Sequence, residues 1–342
     1  MRWENLQLLD GDRADAPLFD SSAVTRTFDT PQFRGMTFYE VRARSIINRV
    51  PEASHMPFQW TINPYRGCSH ACVYCFARKT HTYLDLDAGH DFDSRVVVKV
   101  NAAELLRREL AAPRWRGEHI AMGTNVDCYQ RAEGRYELMR GILAALRDAA
   151  NPFSILTKGS LILRDLDLLQ QAASVTDVTA NVSVGFVERT LWRAVEPGTP
   201  SPATRLGVCR TLNEAGIPCG VLMAPILPYL TDSQAQLDGA VAAIATSGAR
   251  HVSPIVLHLR PGAREWFLQW LRGYAPELVP RYEKLYRRSA YAPKSYQEEI
   301  CGRVRELAGT HGVGRASPYE TRYVQPRPQS TQQPQAEQLS LL

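Results

Sequence analysis

The sequence predicts an α/β protein: a partial parallel (β/α)6 barrel with an irregular N-terminal wrap and C-terminal helices. Three observations predict it. From Gln59 onward, short apolar runs alternate with amphipathic stretches of helical period. Several of these runs are almost wholly apolar, as expected of parallel strands covered by helices. The chain has 342 residues, of which 44% are hydrophobic and 22% charged. That is enough apolar material for a sizeable core and too much for a wholly disordered chain.

Residues 1–56 show weak periodicity and many polar or turn residues, and read as an irregular N-terminal extension. The barrel core is expected over 57–260. Its candidate strands are Trp60–Asn63, Val96–Val100, His119–Gly123, Phe153–Thr157, Asn181–Phe186, Pro218–Ala224 and His251–Leu257. Candidate helices between them are Ala102–Leu110, Tyr136–Ala149, Leu161–Ala173, Pro202–Ala215 and Ser233–Ser247. In the second of these, Leu138, Met139, Ile142, Leu143 and Leu146 form an apolar stripe. Repeated strand–helix units imply right-handed crossovers, and chemistry then gathers at the C-terminal ends of the strands. The alternation stops near Pro261. Residues 261–324 read as a helical extension with helices over Ala263–Tyr274, Pro276–Arg288 and Tyr296–Leu307. Residues 325–342 begin QPRPQSTQQPQAE and read as a disordered tail, because they offer almost nothing to a core.

The balance of 40 basic against 35 acidic residues leaves a net charge of +5. This permits a nucleic-acid partner without demanding one. No apolar run approaches the roughly 18 residues of a membrane span. The N-terminus has acidic residues and no apolar h-region, which argues against a secretory signal. Seven cysteines, an odd number, argue against a disulfide framework and for a reducing, cytoplasmic location. Cys209, Cys219 and Cys301 read as buried core residues.

The three cysteines that fall within eight residues need a different account. The segment Asn63-Pro-Tyr-Arg-Gly-Cys68-Ser-His70-Ala-Cys72-Val-Tyr74-Cys75-Phe76-Ala-Arg78 carries the spacing C-x3-C-x2-C after the first candidate strand. Thiolates suit zinc or iron–sulfur clusters. A zinc site would need a fourth ligand, such as His70 or His81; a four-cysteine cluster would need one of the scattered cysteines. Three thiolates in one tight loop suggest instead a cubane with one iron left open.

This spacing, with aromatic Tyr74 before the last cysteine and a β/α series around it, resembles the radical S-adenosylmethionine (SAM) superfamily. The resemblance implies an enzyme with a [4Fe–4S] cluster held by Cys68, Cys72 and Cys75. It implies SAM on the open iron, one-electron cleavage to a 5′-deoxyadenosyl radical, and hydrogen abstraction from substrate. The cofactors carry the hard chemistry and the protein positions and secludes them. The flanking sequence, including GTNVDCYQRAEGRYELMRGIL and SILTKGSLILRDLDLL, is similar to the branch related to spore photoproduct lyase over roughly 56–260.

Residue by residue, the resemblance places Tyr74 and Phe76 at the adenine and Thr124 and Asn125 at the methionyl part. Lys158 would lie near the methionine carboxylate and Ser183 toward the ribose. Glu196 and Arg205 either contact the cofactor or fix their loop as an ion pair. There is one departure. The lyase has a catalytic cysteine near the end of the second barrel strand, where this chain has Met122 or Gly123. Cys128 follows a few residues later and is the candidate hydrogen-atom donor. The departure puts splitting of thymine dimers in doubt.

The favoured expectation is a radical SAM enzyme acting on nucleic acid, in repair or modification. Lyase and transferase chemistry both stay open. One alternative is an enzyme modifying a protein or small metabolite; another is a non-enzymatic iron–sulfur or zinc-binding protein. The segment 281–296 bears on the choice. Arg281, Lys284, Arg287, Arg288 and Lys294 face one acid, Glu283, with Tyr282, Tyr286, Tyr291 and Tyr296 interleaved. Such a pattern serves phosphates and bases, or caps a barrel with a surface helix. An electron donor such as flavodoxin or ferredoxin is implied. The string Gln338-Leu339-Ser340-Leu341-Leu342 resembles the bacterial sliding-clamp-binding motif.

Overall fold

A computed structural model describes residues 6–7, 23–51 and 56–314. The strands are β1 (Leu6–Gln7), β2 (Val24–Arg26), β3 (Thr37–Ala43), β4 (Ile47–Arg49), β5 (Trp60–Ile62), β6 (Tyr65–Arg66), β7 (Arg95–Lys99), β8 (Ile120–Met122), β9 (Phe153–Thr157), β10 (Val178–Ser183), β11 (Cys219–Ile226) and β12 (Val252–Val256). The α-helices are α1 (His90–Ser94), α2 (Ala102–Leu110), α3 (Glu133–Tyr136), α4 (Leu138–Asp148), α5 (Leu166–Ala173), α6 (Arg189–Val195), α7 (Pro202–Glu214), α8 (Gln234–Thr246), α9 (Ala263–Tyr274), α10 (Val279–Leu285) and α11 (Lys294–Thr310).

One sheet runs β12-β11-β10-β9-β8-β5-β4. Its first six members pair in parallel, and β4 is added antiparallel on β5. These six parallel strands are the expected partial barrel. Side-chain caps mark the starts of two of the barrel helices. Ser201 caps α7 through the Thr204 amide, and Ser233 with Gln236 forms a capping box on α8. On α4, Met139, Ile142, Leu143 and Leu146 are fully buried, as the stripe predicts, while Leu138 is half-buried.

Two expectations need correction. The run 96–100 is a strand, but it does not belong to the barrel. It is β7, which pairs in parallel with β3 and antiparallel with β6 in a second sheet. Nor is the described part of residues 1–56 irregular. Thr37–Ala43 is a seven-residue strand burying Phe38, Tyr39, Val41 and Ala43, and β2 pairs with it. Its partner β7 lies more than fifty residues downstream, so local periodicity carries no sign of the pairing. This second sheet positions the site, because β6 leads directly into the cysteine segment.

In the helical extension, α9 spans the expected residues, whereas the stretch after Pro276 is a 3₁₀ turn followed by α10. The tail 325–342, with the clamp-like string, lies outside the described residues.

Candidate active site

The cysteine loop spans the gap between β6 and a 3₁₀ segment, Phe76–Leu84. Gly67 opens it with φ +85°, and an added Cβ there would lie 2.7 Å from the Arg95 carbonyl oxygen. Gly198 approaches from the other side; its added Cβ would meet the Ser69 carbonyl oxygen at 2.0 Å. Two buried polar side chains and one that is partly exposed at the cavity wall then hold the loop. Gln130 donates to the Gly67 carbonyl at 2.8 Å and accepts from the Ser69 amide at 3.0 Å. Arg78, fully buried, donates to the Cys72 carbonyl through Nε and Nη2 at 3.2 and 3.0 Å. Its guanidinium also pairs with Asp93 at 2.8 Å and lies between the rings of Phe92 and Trp266. Asp127 accepts from Thr157 Oγ1 at 2.7 Å and the Lys158 amide at 2.6 Å, with His70 Nδ1 3.4 Å away. It thereby joins the cysteine loop to the end of β9. Burial would raise the Asp127 carboxyl, but His70 and these hydrogen bonds outweigh it and bring it down to about 2.

The loop faces a cavity of about 190 Å³ at the C-terminal ends of the barrel strands. Cys68, Cys72 and Cys75 line it. So do Tyr74, Phe76, Thr124, Asn125, Lys158 and Ser183, which sequence reasoning also singled out. Burial pushes the Cys72 thiol up to about 12 and raises Cys68 and Cys75 as well. Binding of a metal through these thiols would therefore release protons. Among the described residues, no three His, Cys, Asp or Glu side chains converge to hold a single metal ion. Three thiols opening on one cavity are the soft donors that an iron–sulfur cluster takes.

Lys158 Nζ donates to Ser183 Oγ at 2.9 Å and lies 5.7 Å from the centre of the Tyr74 ring. Ser183 Oγ donates onward to the Ala224 carbonyl at 3.0 Å. Behind this wall, Tyr74 donates its hydroxyl to Glu196, and Arg205 pairs with Glu196 at 2.5 Å. Arg205 also donates to the Ser183 carbonyl at 2.6 Å. Burial would raise Glu196, yet the charges of Arg205 and Lys158 hold it below its ordinary range.

Some expected residues are elsewhere. Glu196 and Arg205 are not among the lining residues; they form a buried ion pair behind the wall. Cys128 does not line it either. It is fully buried, and the structure does not bring it to the cavity with the other expected residues. Cys209 and Cys219 are buried and Cys301 is half-buried; none reaches the cavity as a fourth cysteine ligand. His81 Nε2 is turned to the Arg95 carbonyl at 2.8 Å, and His81 does not line the cavity. Tyr282 and Tyr286 are buried caps of the barrel, donating to the Pro228 and Leu257 carbonyls at 2.6 and 2.7 Å. Tyr296 donates to Asp232. Arg78, Gln130 and His258, which also lines the cavity, were missed by sequence reasoning. The position of Arg78 three residues past the last cysteine was the one available signal.

The family model of the radical SAM superfamily matches residues 62–237, which hold the cysteine loop and most of the barrel. The chain belongs to the radical SAM superfamily. The uncharacterized protein Rv2578c of Mycobacterium tuberculosis is 50% identical over 301 residues, 87% of this chain and 88% of that protein. The uncharacterized protein MJ0683 of Methanocaldococcus jannaschii is 33% identical over 195 residues, 56% of this chain and 69% of that one. Among solved structures, spore photoproduct lyase complexed with dinucleoside spore photoproduct aligns with a TM-score of 0.62 at 14% identity, covering 82% of each chain. A mutant of that lyase with bound AdoMet and the dinucleoside aligns at 0.59 with 15% identity, covering 80% of this chain and 78% of that one. At such identities the likeness is one of fold. This radical SAM enzyme therefore has the partial-barrel fold seen in spore photoproduct lyase. No helix among the described residues is long and apolar enough to cross a membrane.

Proposed function

We propose that this radical SAM enzyme binds a [4Fe–4S] cluster through Cys68, Cys72 and Cys75 and cleaves SAM reductively to abstract hydrogen from a nucleic-acid substrate. The observation that carries the reading is the cavity at the strand ends, where three cysteines, Lys158 and a set of aromatic and small polar side chains meet. When bound, the cluster supplies the electron that cleaves SAM, and the 5′-deoxyadenosyl group supplies the hydrogen acceptor. The chain's own residues bind, orient and exclude. Lys158 offers a cation for the methionyl carboxylate, and Thr124 and Asn125 offer short polar groups beside it. Tyr74 is held rigid by Glu196, so its ring forms a fixed wall for the adenine. Apolar side chains, among them Leu156, Leu222 and Val256, line the rest and keep water from the reacting atoms.

Two features support nucleic acid as substrate: the exposed basic side chains of 281–296, and the dinucleoside carried by the lyase structures with which this chain shares its fold. Three further parts of the reading are a cytoplasmic enzyme, reduction by a flavodoxin or ferredoxin, and tail docking on a sliding clamp. The test is anaerobic reconstitution with iron and sulfide, reduction by dithionite, and quantitation of 5′-deoxyadenosine and methionine. Product from the wild-type protein supports the enzyme. A reduced cluster with no SAM cleavage would leave only an iron–sulfur binding protein. Cleavage stimulated by peptides or metabolites but not by DNA or RNA would move the substrate to another class.

A further inference from the structure

The C-terminal extension brings one exposed ring to the mouth of the cavity. Residues 289–291 return from α10 and form an isolated antiparallel bridge, Tyr291 to His258. His258 lines the cavity, and its ring lies 5.6 Å from Phe76 on the inner side and 5.5 Å from Tyr291 on the outer side. Arg260 closes the group: it donates to the Tyr291 hydroxyl at 3.0 Å, and its guanidinium lies 5.6 Å from the centre of the Phe76 ring. Aromatic and cationic surface thus runs without a break from the cavity wall to solvent. Tyr291 is 46% exposed, unlike the neighbouring tyrosines 282 and 286, which are buried. Arg260 and the exposed Arg287 and Arg288, which precede Tyr291 by four and three residues in the sequence, form no side-chain ion pair among the described residues.

We propose that Tyr291 and Arg260 form the substrate lip: Tyr291 stacks on one base of a single-stranded or extruded nucleotide segment, and Arg260 with Arg287 takes its phosphates. The proposal rests on the radical SAM reading and names the part of the substrate met outside the cofactor cavity. Charge decides between occupants. A planar, uncharged metabolite would use the ring and leave the three arginines idle. A nucleic-acid strand uses both, since every base has a face to stack and every link carries an anion.

The test is fluorescence anisotropy of the full-length, reconstituted protein with a labelled single-stranded oligonucleotide, its duplex, and an acidic peptide. Tyr291→Ala should weaken single-strand binding roughly 5- to 150-fold, the range for one stacked base. Tyr291→Phe, which keeps the ring, should bind like wild type. Arg260→Gln should flatten the slope of log affinity against log salt by about 0.7. Tyr274→Ala removes another exposed ring, 41% accessible, and should change nothing. Equal binding by wild type and Tyr291→Ala overturns the lip, as does an equal loss in Tyr274→Ala. Tighter binding of the acidic peptide than of the strand overturns the nucleic-acid assignment. SAM cleavage by wild type is scored separately, so a failed lip is distinguishable from a failed radical SAM reading.

Discussion

Lys158 Nζ lies 2.9 Å from Ser183 Oγ, across the ends of the adjacent parallel strands β9 and β10. The contact aims a half-buried cation along the cavity wall instead of releasing it to solvent. Lys158→Met should weaken SAM binding by roughly 10- to 150-fold, the value of a lost charge-assisted hydrogen bond of about 1.5–3 kcal/mol. Iron content should not change. Equilibrium dialysis with SAM checks this, and undiminished affinity would make Lys158 only a strand-end lysine.

Replacement of Cys68, Cys72 or Cys75 by Ala should abolish the cluster's visible absorption and bound iron, because each removes one of three thiolates. Cys128→Ala should retain both, since that thiol is buried and does not line the cavity. Full cluster retention in Cys72→Ala would refute the ligand assignment. Loss in Cys128→Ala alone would restore a role to that residue.

The barrel strands and the three cysteines were legible because their signals are local: a period, a run, a fixed spacing. What holds the loop was not. Gln130 acts on residues more than sixty positions earlier, and Arg78 reaches forward to Asp93 while stacking on Trp266 from the C-terminal extension. Neither role leaves a trace in neighbouring sequence. The interleaved basic and aromatic pattern of 281–296 was visible, but not its division of labour. Tyr282 and Tyr286 lie on the buried side of α10 and its end, whereas Tyr291 sits beyond the helix and returns to the mouth. Likewise β7 reads as an ordinary apolar strand, and only its pairing with β3 and β6 separates it from the barrel.

The Glu196–Arg205 pair is almost wholly excluded from solvent, at 0% and 1% exposure. Removal of one partner leaves the other charge buried, a change that typically costs about 3–5 kcal/mol. Arg205→Leu should therefore lower urea stability by about that much and loosen the Tyr74 ring. Loss of stability below about 1 kcal/mol would mean that water already reaches Glu196.

Asp127 gives the acid limb of stability a defined sign. Its carboxyl falls from an ordinary 3.8 to about 2 in the folded chain. A depressed folded value adds stability that is present above the unfolded value and is lost as pH falls toward the folded one. At 1.36 kcal/mol per unit the contribution is about 2 kcal/mol. Asp127→Asn should be less stable than wild type at neutral pH, and the two should converge between about pH 4 and pH 2. A constant difference down to pH 2 would show that the hydrogen bonds alone, and not the charge, supply the effect.

The clamp-like string Gln338-Leu339-Ser340-Leu341-Leu342 follows a polar, proline-broken stretch. Three leucines there have no neighbouring apolar sequence with which to form a core. A short apolar peptide of this kind suits a hydrophobic pocket on a partner, with Gln338 as the polar anchor. The stretch 325–337 would then act as a tether holding the enzyme near DNA. A peptide covering Gln335–Leu342 should bind a purified bacterial sliding clamp, and Leu341→Ala and Leu342→Ala should each remove most of that binding. Absence of wild-type binding at high micromolar concentration would disprove the docking. Because the lip at Tyr291 is tested on oligonucleotides directly, that result would leave the substrate assignment to stand or fall on its own measurement.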